Sequence, residues 1–220
     1  MSLDCKATVN IGDYARGGKT RADNQAQDHD MGAQEKYVPC GILDEDRGQL
    51  YLNFGSSYKT SDFIVDSLSR WWSQIPQPEK QQIELIQIKV DNGPENSGRR
   101  TQFLKRMVEL ADSTGKSIQL LYFPPYHSKY NPIERCWGIL EQHWNGALLS
   151  HVDTMLAWAQ SMTWKGIPPI VHLSQKIYHK GISLTKKAMQ EIEMRLLRNP
   201  HLPYPNGIFS FVLVSWYFLS

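Results

Sequence analysis

Two short strand-like stretches with a helix between them constrain the fold of this chain most strongly. Residues 86–90 alternate apolar and polar side chains, as is typical of a half-buried strand, and residues 117–123 predict a second strand. Between them, apolar side chains recur at helical spacing over residues 99–112, and Gly115 follows as a stop signal. This order predicts a βαβ unit with a right-handed crossover, in which the two strands are parallel neighbours.

The first of these strands ends at an acidic residue. Asp91 begins the turn-forming run Asp91-Asn92-Gly93-Pro94. Open α/β sheets collect their functional groups where a strand meets the following loop, so Asp91 is a candidate functional residue. An aspartate before Asn-Gly is also a common way to begin a turn, and this structural alternative stays open.

A helix start at residues 131–134 provides a second acid. Asn131 fits the N-cap, Pro132 the first helical position and Glu134 the third. The apolar stripe of this helix is Ile133, Trp137, Leu140 and Trp144. Glu134 belongs to a neighbouring face and is predicted to lie near the sheet end that carries Asp91. A glutamate at this position is also one half of a capping box, which is its structural alternative.

The remaining elements of the first 150 residues predict a mixed sheet. Residues 1–9 predict a first strand that contains Asp4, and residues 40–43 and 48–54 predict two strands on the antiparallel side. Thr60 or Ser61 is expected to cap the next helix, whose Trp71 and Trp72 are expected in the core. The element order therefore predicts an α/β protein with a central mixed sheet flanked by helices.

Two motifs together resemble a known family. The DNG of residues 91–93, followed by YFPPYHSKYNPIERCWGIL at residues 122–140, resembles the catalytic core of DDE transposases of bacterial insertion sequences, in the mariner-like group. Within that group it resembles the ISAzo-type family, also called Rhodopirellula-type transposases, over nearly the whole chain. The resemblance implies a ribonuclease H-like fold with a triad of Asp4, Asp91 and Glu134. Asp13 is the alternative to Asp4 as the first acid.

The chemistry implied by this resemblance is metal-dependent phosphoryl transfer on DNA. The three carboxylates would ligate two Mg²⁺ or Mn²⁺ ions for strand cleavage at the element's end and for strand transfer. The implied partners are insertion-sequence ends and target DNA, with a homo-oligomer when the protein is active. Asn92, His127 and Lys129 are candidate nucleic-acid contacts, and ordinary loop positions are their alternative. A nuclease that does not join, and an inactive remnant or non-enzymatic nucleic-acid-binding module, also remain open.

The expected domain organisation is a catalytic core over residues 1–150, a helical extension over 151–205 and an atypical apolar tail over 206–220. Helices are predicted over residues 152–164 and 185–198. Transposases of the resembled kind carry an N-terminal helix-turn-helix region, and Asp4 is nearly the first residue here, so we expect a truncated protein. The tail is a candidate buried strand, and its departure from the family's usual ending would be explained by a frameshift or by read-through from neighbouring DNA.

Net charge and cysteine content indicate the cellular compartment but do not indicate a function. A formal net charge of +2 does not by itself indicate nucleic-acid binding, so any basic surface must be local. Arg16, Lys19 and Arg21 form one such local group, either an arm that contacts phosphates or a solvated loop. Three cysteines without CxxC spacing, and no secretion signal, favour the reducing cytoplasm. The apolar tail is too short to span a membrane, and no membrane association is expected.

Overall fold

The computed structural model describes residues 1–14, 19–21, 26, 35–123, 130–198 and 209–213 of the chain. The strands of these residues are β1 (Ser2–Cys5), β2 (Val9–Asn10), β3 (Lys36–Asp44), β4 (Gln49–Gly55), β5 (Leu85–Val90), β6 (Ser117–Tyr122), β7 (Ile170–Ser174), β8 (Leu196–Arg198) and β9 (Phe209–Leu213). The helices are α1 (Ser61–Gln74), α2 (Gln77–Gln82), α3 (Thr101–Thr114), α4 (Ile133–Trp144), α5 (Val152–Ser161) and α6 (Lys186–Glu193).

The described strands form one mixed sheet in the order β7-β4-β3-β1-β5-β6-β9-β8, and the short β2 pairs with β3. The first strand is central: β1 pairs antiparallel with β3 and parallel with β5. Strands β5 and β6 are parallel neighbours joined through α3, so the predicted βαβ unit is confirmed. The predicted α/β class, with a mixed central sheet flanked by helices, is confirmed as well.

Strand direction brings several chain segments to one edge of this sheet. Because β3 is antiparallel to both β1 and β4, the strands β1, β4, β5, β6 and β7 all run in the same direction. Their carboxyl ends therefore lie together at what we call the carboxyl edge. Asp4 lies near the end of β1, and Asp91 comes directly after β5. The loops that follow β4 and β7 begin at the same edge.

Two apolar clusters hold helices on both faces of the sheet. Ile42 and Leu43 are neighbours in β3, yet they belong to different clusters because alternate residues of a strand face opposite sides. The cluster of Ile42 includes buried residues of α1 and α3, and the cluster of Leu43 includes buried residues of α4 and α5. The sheet therefore separates α1 and α3 from α4 and α5.

The helix cap, the core tryptophans and the helix stop predicted from the sequence are confirmed. Thr60 caps α1 by accepting a hydrogen bond of 3.2 Å from the backbone N–H of Phe63, as predicted. Trp71 is buried, and Trp72 packs against the same cluster. Gly115 ends α3 with a φ of 64°, a conformation that suits glycine.

The C-terminal part differs from its predicted helices. The helix predicted over residues 185–198 is wrong in its second half, because α6 ends at Glu193 and Leu196–Arg198 forms β8. Leu196 is buried, and the backbone of β8 pairs with β9, so tertiary pairing overrides the helical spacing. Strand β7 was not predicted, and the helix predicted over residues 152–164 ends at Ser161.

Part of the apolar tail belongs to the sheet. Strand β9 pairs antiparallel with β6 on one side and with β8 on the other. The strand alternative is therefore confirmed for Phe209–Leu213, while the frameshift origin remains a prediction. Within the described ranges, no helix has the length and apolar character needed to cross a membrane.

Candidate active site

The register of two parallel strands brings Asp4 and Asp91 side by side. Ser2 of β1 is the partner of Lys89 of β5, and Asp4 and Asp91 each come two residues further along the chain, Asp4 within β1 and Asp91 directly after β5. Adjacent strands are about 4.8 Å apart, and residues two apart face the same side. Burial raises the pKa of Asp4, and the charge of Asp91 raises it further. The two carboxylates therefore interact electrostatically at the carboxyl edge.

Asp4 is oriented by a tryptophan of α4. The indole Nε1–H of Trp137 donates a hydrogen bond of 2.8 Å to Oδ2 of Asp4. This bond lowers the pKa of Asp4, opposing the effects of burial and Asp91. Gly41 pairs with Asp4 in the register, and a Cβ at Gly41 would lie 2.6 Å from Cζ2 of Trp137. The indole can approach Asp4 because position 41 carries no side chain.

Asp91 is held by the loop that follows it. The side-chain Nδ2 of Asn96 donates a hydrogen bond of 2.7 Å to Oδ1 of Asp91. Asn96 is buried, and its carbonyl accepts a hydrogen bond of 2.8 Å from the hydroxyl of Tyr122 in β6. A Cβ at Gly93 would lie 3.1 Å from Oδ2 of Asp91 and 3.0 Å from Oδ1 of Asn96. A side chain at Gly93 would therefore crowd this carboxylate.

The start of α4 is attached directly to β1. Asn131 is buried, and its Nδ2 donates a hydrogen bond of 3.1 Å to the carbonyl of Leu3. The hydroxyl of Ser2 donates to Oδ1 of Asn131 and accepts a hydrogen bond of 3.0 Å from the N–H of Ile133. The predicted N-cap is therefore wrong: α4 begins at Ile133, and the side chain of Asn131 binds β1 instead.

Glu134 reaches the site from this anchored helix. Burial raises the pKa of its half-buried carboxyl, and the negative charges of Asp4 and Asp91 raise it further, while Lys6 opposes them. No side-chain capping bond is present at the start of α4, so the capping-box alternative is wrong. Among the described residues, the carboxylate of Glu134 forms no hydrogen bond and no ion pair. It is the third acid at the carboxyl edge.

The donor set suits a hard divalent cation. The Trp137 and Asn96 bonds each occupy one carboxylate oxygen of an aspartate, so Asp4, Asp91 and Glu134 all keep an oxygen for another ligand. A divalent cation would also relieve the mutual repulsion that raises the pKa of Asp4 and Glu134. The described part of the chain contains no group of three His, Cys, Asp or Glu side chains placed closely enough to hold a metal ion. The acids fit Mg²⁺ or Mn²⁺ in their chemistry.

The other predicted site residues have different outcomes. Asn92 is exposed in the loop after Asp91. His127 and Lys129 lie outside the described residues, as does Arg16. Asp13 is exposed after β2 and is not among the groups that shift the pKa of Asp4 or Glu134.

The basic segment near residue 20 is partly attached to α4. Nη2 of Arg21 donates a hydrogen bond of 2.7 Å to the carbonyl of His143, and its Nε donates one of 2.9 Å to the carbonyl of Asn145. The guanidinium also lies 4.8 Å from the ring centroid of Trp158. Arg21 thus binds the carboxyl end of a helix, where a cation is favourable.

Sequence reasoning missed three residues that contact the acids or their strands. Asn96 has an ordinary turn composition around it, and Trp137 belongs to the apolar stripe of α4, so neither pattern reveals the polar contact. The third is Lys59, whose Nζ lies 3.4 Å from the carbonyl oxygen of Cys5. Its positive charge lowers the pKa of Asp4.

With this geometry established, comparison with known proteins identifies the family. The model of a family described as Rhodopirellula transposase DDE domain matches residues 1–208. The chain belongs to this transposase family. The resemblance inferred from the DNG and NPIE motifs is thus confirmed, and so is the ribonuclease H-like fold. Searches among curated proteins and among solved structures gave no match. Membership makes DNA the implied partner of this transposase.

Proposed function

We propose that this transposase cleaves DNA strands at insertion-sequence ends and joins them to target DNA with the help of divalent metal ions. One observation carries the proposal: Asp4, Asp91 and Glu134 lie at the carboxyl edge, where the charge of Asp91 raises the pKa of Asp4 and the charges of both aspartates raise the pKa of Glu134. Carboxylates whose pKa values are raised by burial and by neighbouring negative charge are typical of catalytic and metal-binding sites, where a bound cation offsets the repulsion.

Each residue has a defined part in this proposal. Asp4, Asp91 and Glu134 would hold two Mg²⁺ or Mn²⁺ ions through their free carboxylate oxygens. When bound, such ions activate the attacking oxygen of water or a 3′-hydroxyl and stabilise the leaving oxygen of the phosphodiester. Trp137 and Asn96 orient the two aspartates, and no side chain has to form a covalent intermediate. We also expect a homo-oligomer in the active state, since two element ends have to be processed together.

The direct test is Mn²⁺ binding by calorimetry. Wild type is compared with Asp4→Asn, Asp91→Asn and Glu134→Gln, after circular dichroism has confirmed that each variant is folded. Asp13→Asn is the matched control, because it removes one exposed carboxylate outside the site. We expect each of the three site variants to lose most of the Mn²⁺ binding, and the control to retain it. Equal binding in all variants would reject the proposal.

A second assay separates the possible reactions. Labelled DNA ends are incubated with the protein, Mn²⁺ and a supercoiled target, and both cut and joined products are followed. Joined product that depends on Glu134 supports the transposase function. Cut product without joined product indicates a nuclease, and binding of DNA without either product indicates a non-enzymatic module.

A further inference from the structure

The loop between β4 and α1 lies at the same edge as the acids. Strand β4 runs parallel to β1, so the chain leaves Gly55 at the carboxyl edge before α1 begins at Ser61. The loop is fixed by the segment that follows β7. The N–H of Ser56 donates a hydrogen bond of 3.1 Å to the carbonyl of Ser174, and Oγ of Ser57 accepts one of 3.0 Å from the N–H of Tyr178. Side chains of residues 56–60 therefore have a defined position beside the site.

Lys59 of this loop brings a cation close to the first acid. Its half-buried ammonium contacts the carbonyl of Cys5, the residue that follows Asp4. Several lysines of the protein form ion pairs at short distance, namely Lys6 with Glu141, Lys89 with Glu45, Lys105 with Glu109 and Lys176 with Asp66. In the described part of the chain, Lys59 forms no such pair with a carboxylate. Its charge thus remains available to an anion at the carboxyl edge.

An exposed aromatic ring stands next to this lysine. Tyr58 is 55 % exposed, a large fraction for an aromatic side chain. Nζ of Lys180, from the segment after β7, lies 4.3 Å from the centroid of the Tyr58 ring. An accessible ring with a lysine over it combines a stacking surface with positive charge, as proteins that bind unpaired nucleic-acid strands do.

We propose that Tyr58, Lys59 and Lys180 form a DNA contact beside the acidic site. Lys59 binds a backbone phosphate next to the one that reacts, and Tyr58 stacks on an unpaired base of the same strand. Lys180 adds a second phosphate-binding cation. Three carboxylates repel a phosphodiester, and the positive charge of a nearby lysine offsets this repulsion. The inference rests on the proposed function and names the residues that hold its substrate.

DNA binding without metal tests this proposal. Fluorescence anisotropy is measured in EDTA over a range of salt concentrations, with a fluorescein-labelled duplex that is either blunt or carries a single-stranded overhang. The variants are Lys59→Gln, Lys59→Arg and Tyr58→Ala. The matched control is Lys80→Gln. Lys80 belongs to α2, which precedes β5 and so lies at the opposite edge of the sheet, and its Nζ lies 5.4 Å from the ring centroid of Trp72.

The expected results separate the two contacts. Lys59→Gln should weaken binding of both DNAs and reduce the slope of log K against log salt by about 0.9, the value for one lost phosphate contact. Lys59→Arg should restore the slope. Tyr58→Ala should weaken binding of the overhang DNA roughly tenfold and leave the blunt duplex unchanged. Lys80→Gln should behave like wild type.

The inference is overturned if folded Lys59→Gln keeps the wild-type salt slope, if Lys80→Gln loses as much binding, or if wild type does not bind DNA. Loss in Lys59→Arg as well would show a structural role for Lys59. Unchanged overhang binding by Tyr58→Ala would reject the stacking contact.

Mn²⁺ calorimetry on the same samples distinguishes the two proposals. If wild type binds Mn²⁺ but its DNA binding does not depend on Lys59, only this inference is rejected. If wild type does not bind Mn²⁺ but its DNA binding depends on Lys59, the proposed function is rejected.

Discussion

The three acids are held in two different ways. Asp4 and Asp91 are placed by the pairing of β1 with β5, and each accepts a hydrogen bond from a neutral donor, Trp137 or Asn96. Glu134 is on a helix and depends on the attachment of that helix to β1. The aspartate pair is therefore a property of the sheet, while the third acid is a property of helix docking. Changes to the docking of α4 should displace Glu134 and weaken the hydrogen bond from Trp137 to Asp4, while the pairing of β1 with β5 keeps the two aspartates side by side.

The largest effect is expected from Asn131→Ala. The change leaves the buried carbonyl of Leu3 without its donor and removes the partner of the Ser2 hydroxyl. Two such groups correspond to about 2–6 kcal/mol of lost unfolding free energy. Urea denaturation measures this loss, and Asn145→Ala, at the exposed far end of α4, is the control.

The same variant tests whether the position of Glu134 depends on the attachment of α4 to β1. If Asn131 acts by docking α4, Mn²⁺ binding by Asn131→Ala should be no weaker after Glu134→Gln is added. In the protein that keeps Asn131, Glu134→Gln should clearly weaken Mn²⁺ binding. Additive losses in the double variant would show that Glu134 keeps its place without Asn131.

A medium effect is expected at Gly41. The Cβ of Gly41→Ala would collide with the indole of Trp137, 2.6 Å away, and would force the ring from Asp4. Overpacking of this kind typically costs about 1–3 kcal/mol. Gly138→Ala on the exposed face of α4 is a matched control, because nothing lies within 4 Å of its Cβ. It should stabilise the protein by up to about 1 kcal/mol through helix propensity. Thermal or urea unfolding of both variants checks the opposite signs.

The smallest effect concerns the charge of Asp4 itself. Its pKa in the folded protein is raised above the ordinary value of 3.8, first by burial and then by Asp91. The ionised form thus opposes folding, and stability present at low pH is lost as the pH rises through the raised pKa. Asp4→Asn should therefore make the metal-free protein slightly more stable at neutral pH. The gain should vanish near pH 3.

Unfolding at several pH values, without metal, measures this gain. Asp13→Asn controls for the removal of a negative charge at an exposed position. A variant Asp4→Asn that is less stable than wild type at pH 7 would show that the hydrogen bond from Trp137 outweighs burial and repulsion.

The predictability of this fold follows from how far apart the interacting residues are. The Thr60 cap and the end of α3 at Gly115 depend on residues within one or two turns, and each element of the βαβ unit has a clear periodicity of its own, so sequence patterns predict all three. The extent of α6 depends on β9, which offers an edge to Leu196–Arg198. A helical spacing was misleading there, because burial against a distant strand outweighs a weak local preference.

The sequence patterns alone predict the βαβ unit, the turn after β5 and, through two motifs, the three candidate acids. Tertiary structure alone decided that the Asn131 side chain binds β1, that Trp137 contacts Asp4 across a bare Gly41, and that Lys59 stands beside the site. These contacts join residues that are far apart in the chain: Trp137 and Asp4 are separated by 133 positions. Periodicity encodes which face of an element is buried, but only the packed sheet determines which polar atoms meet there.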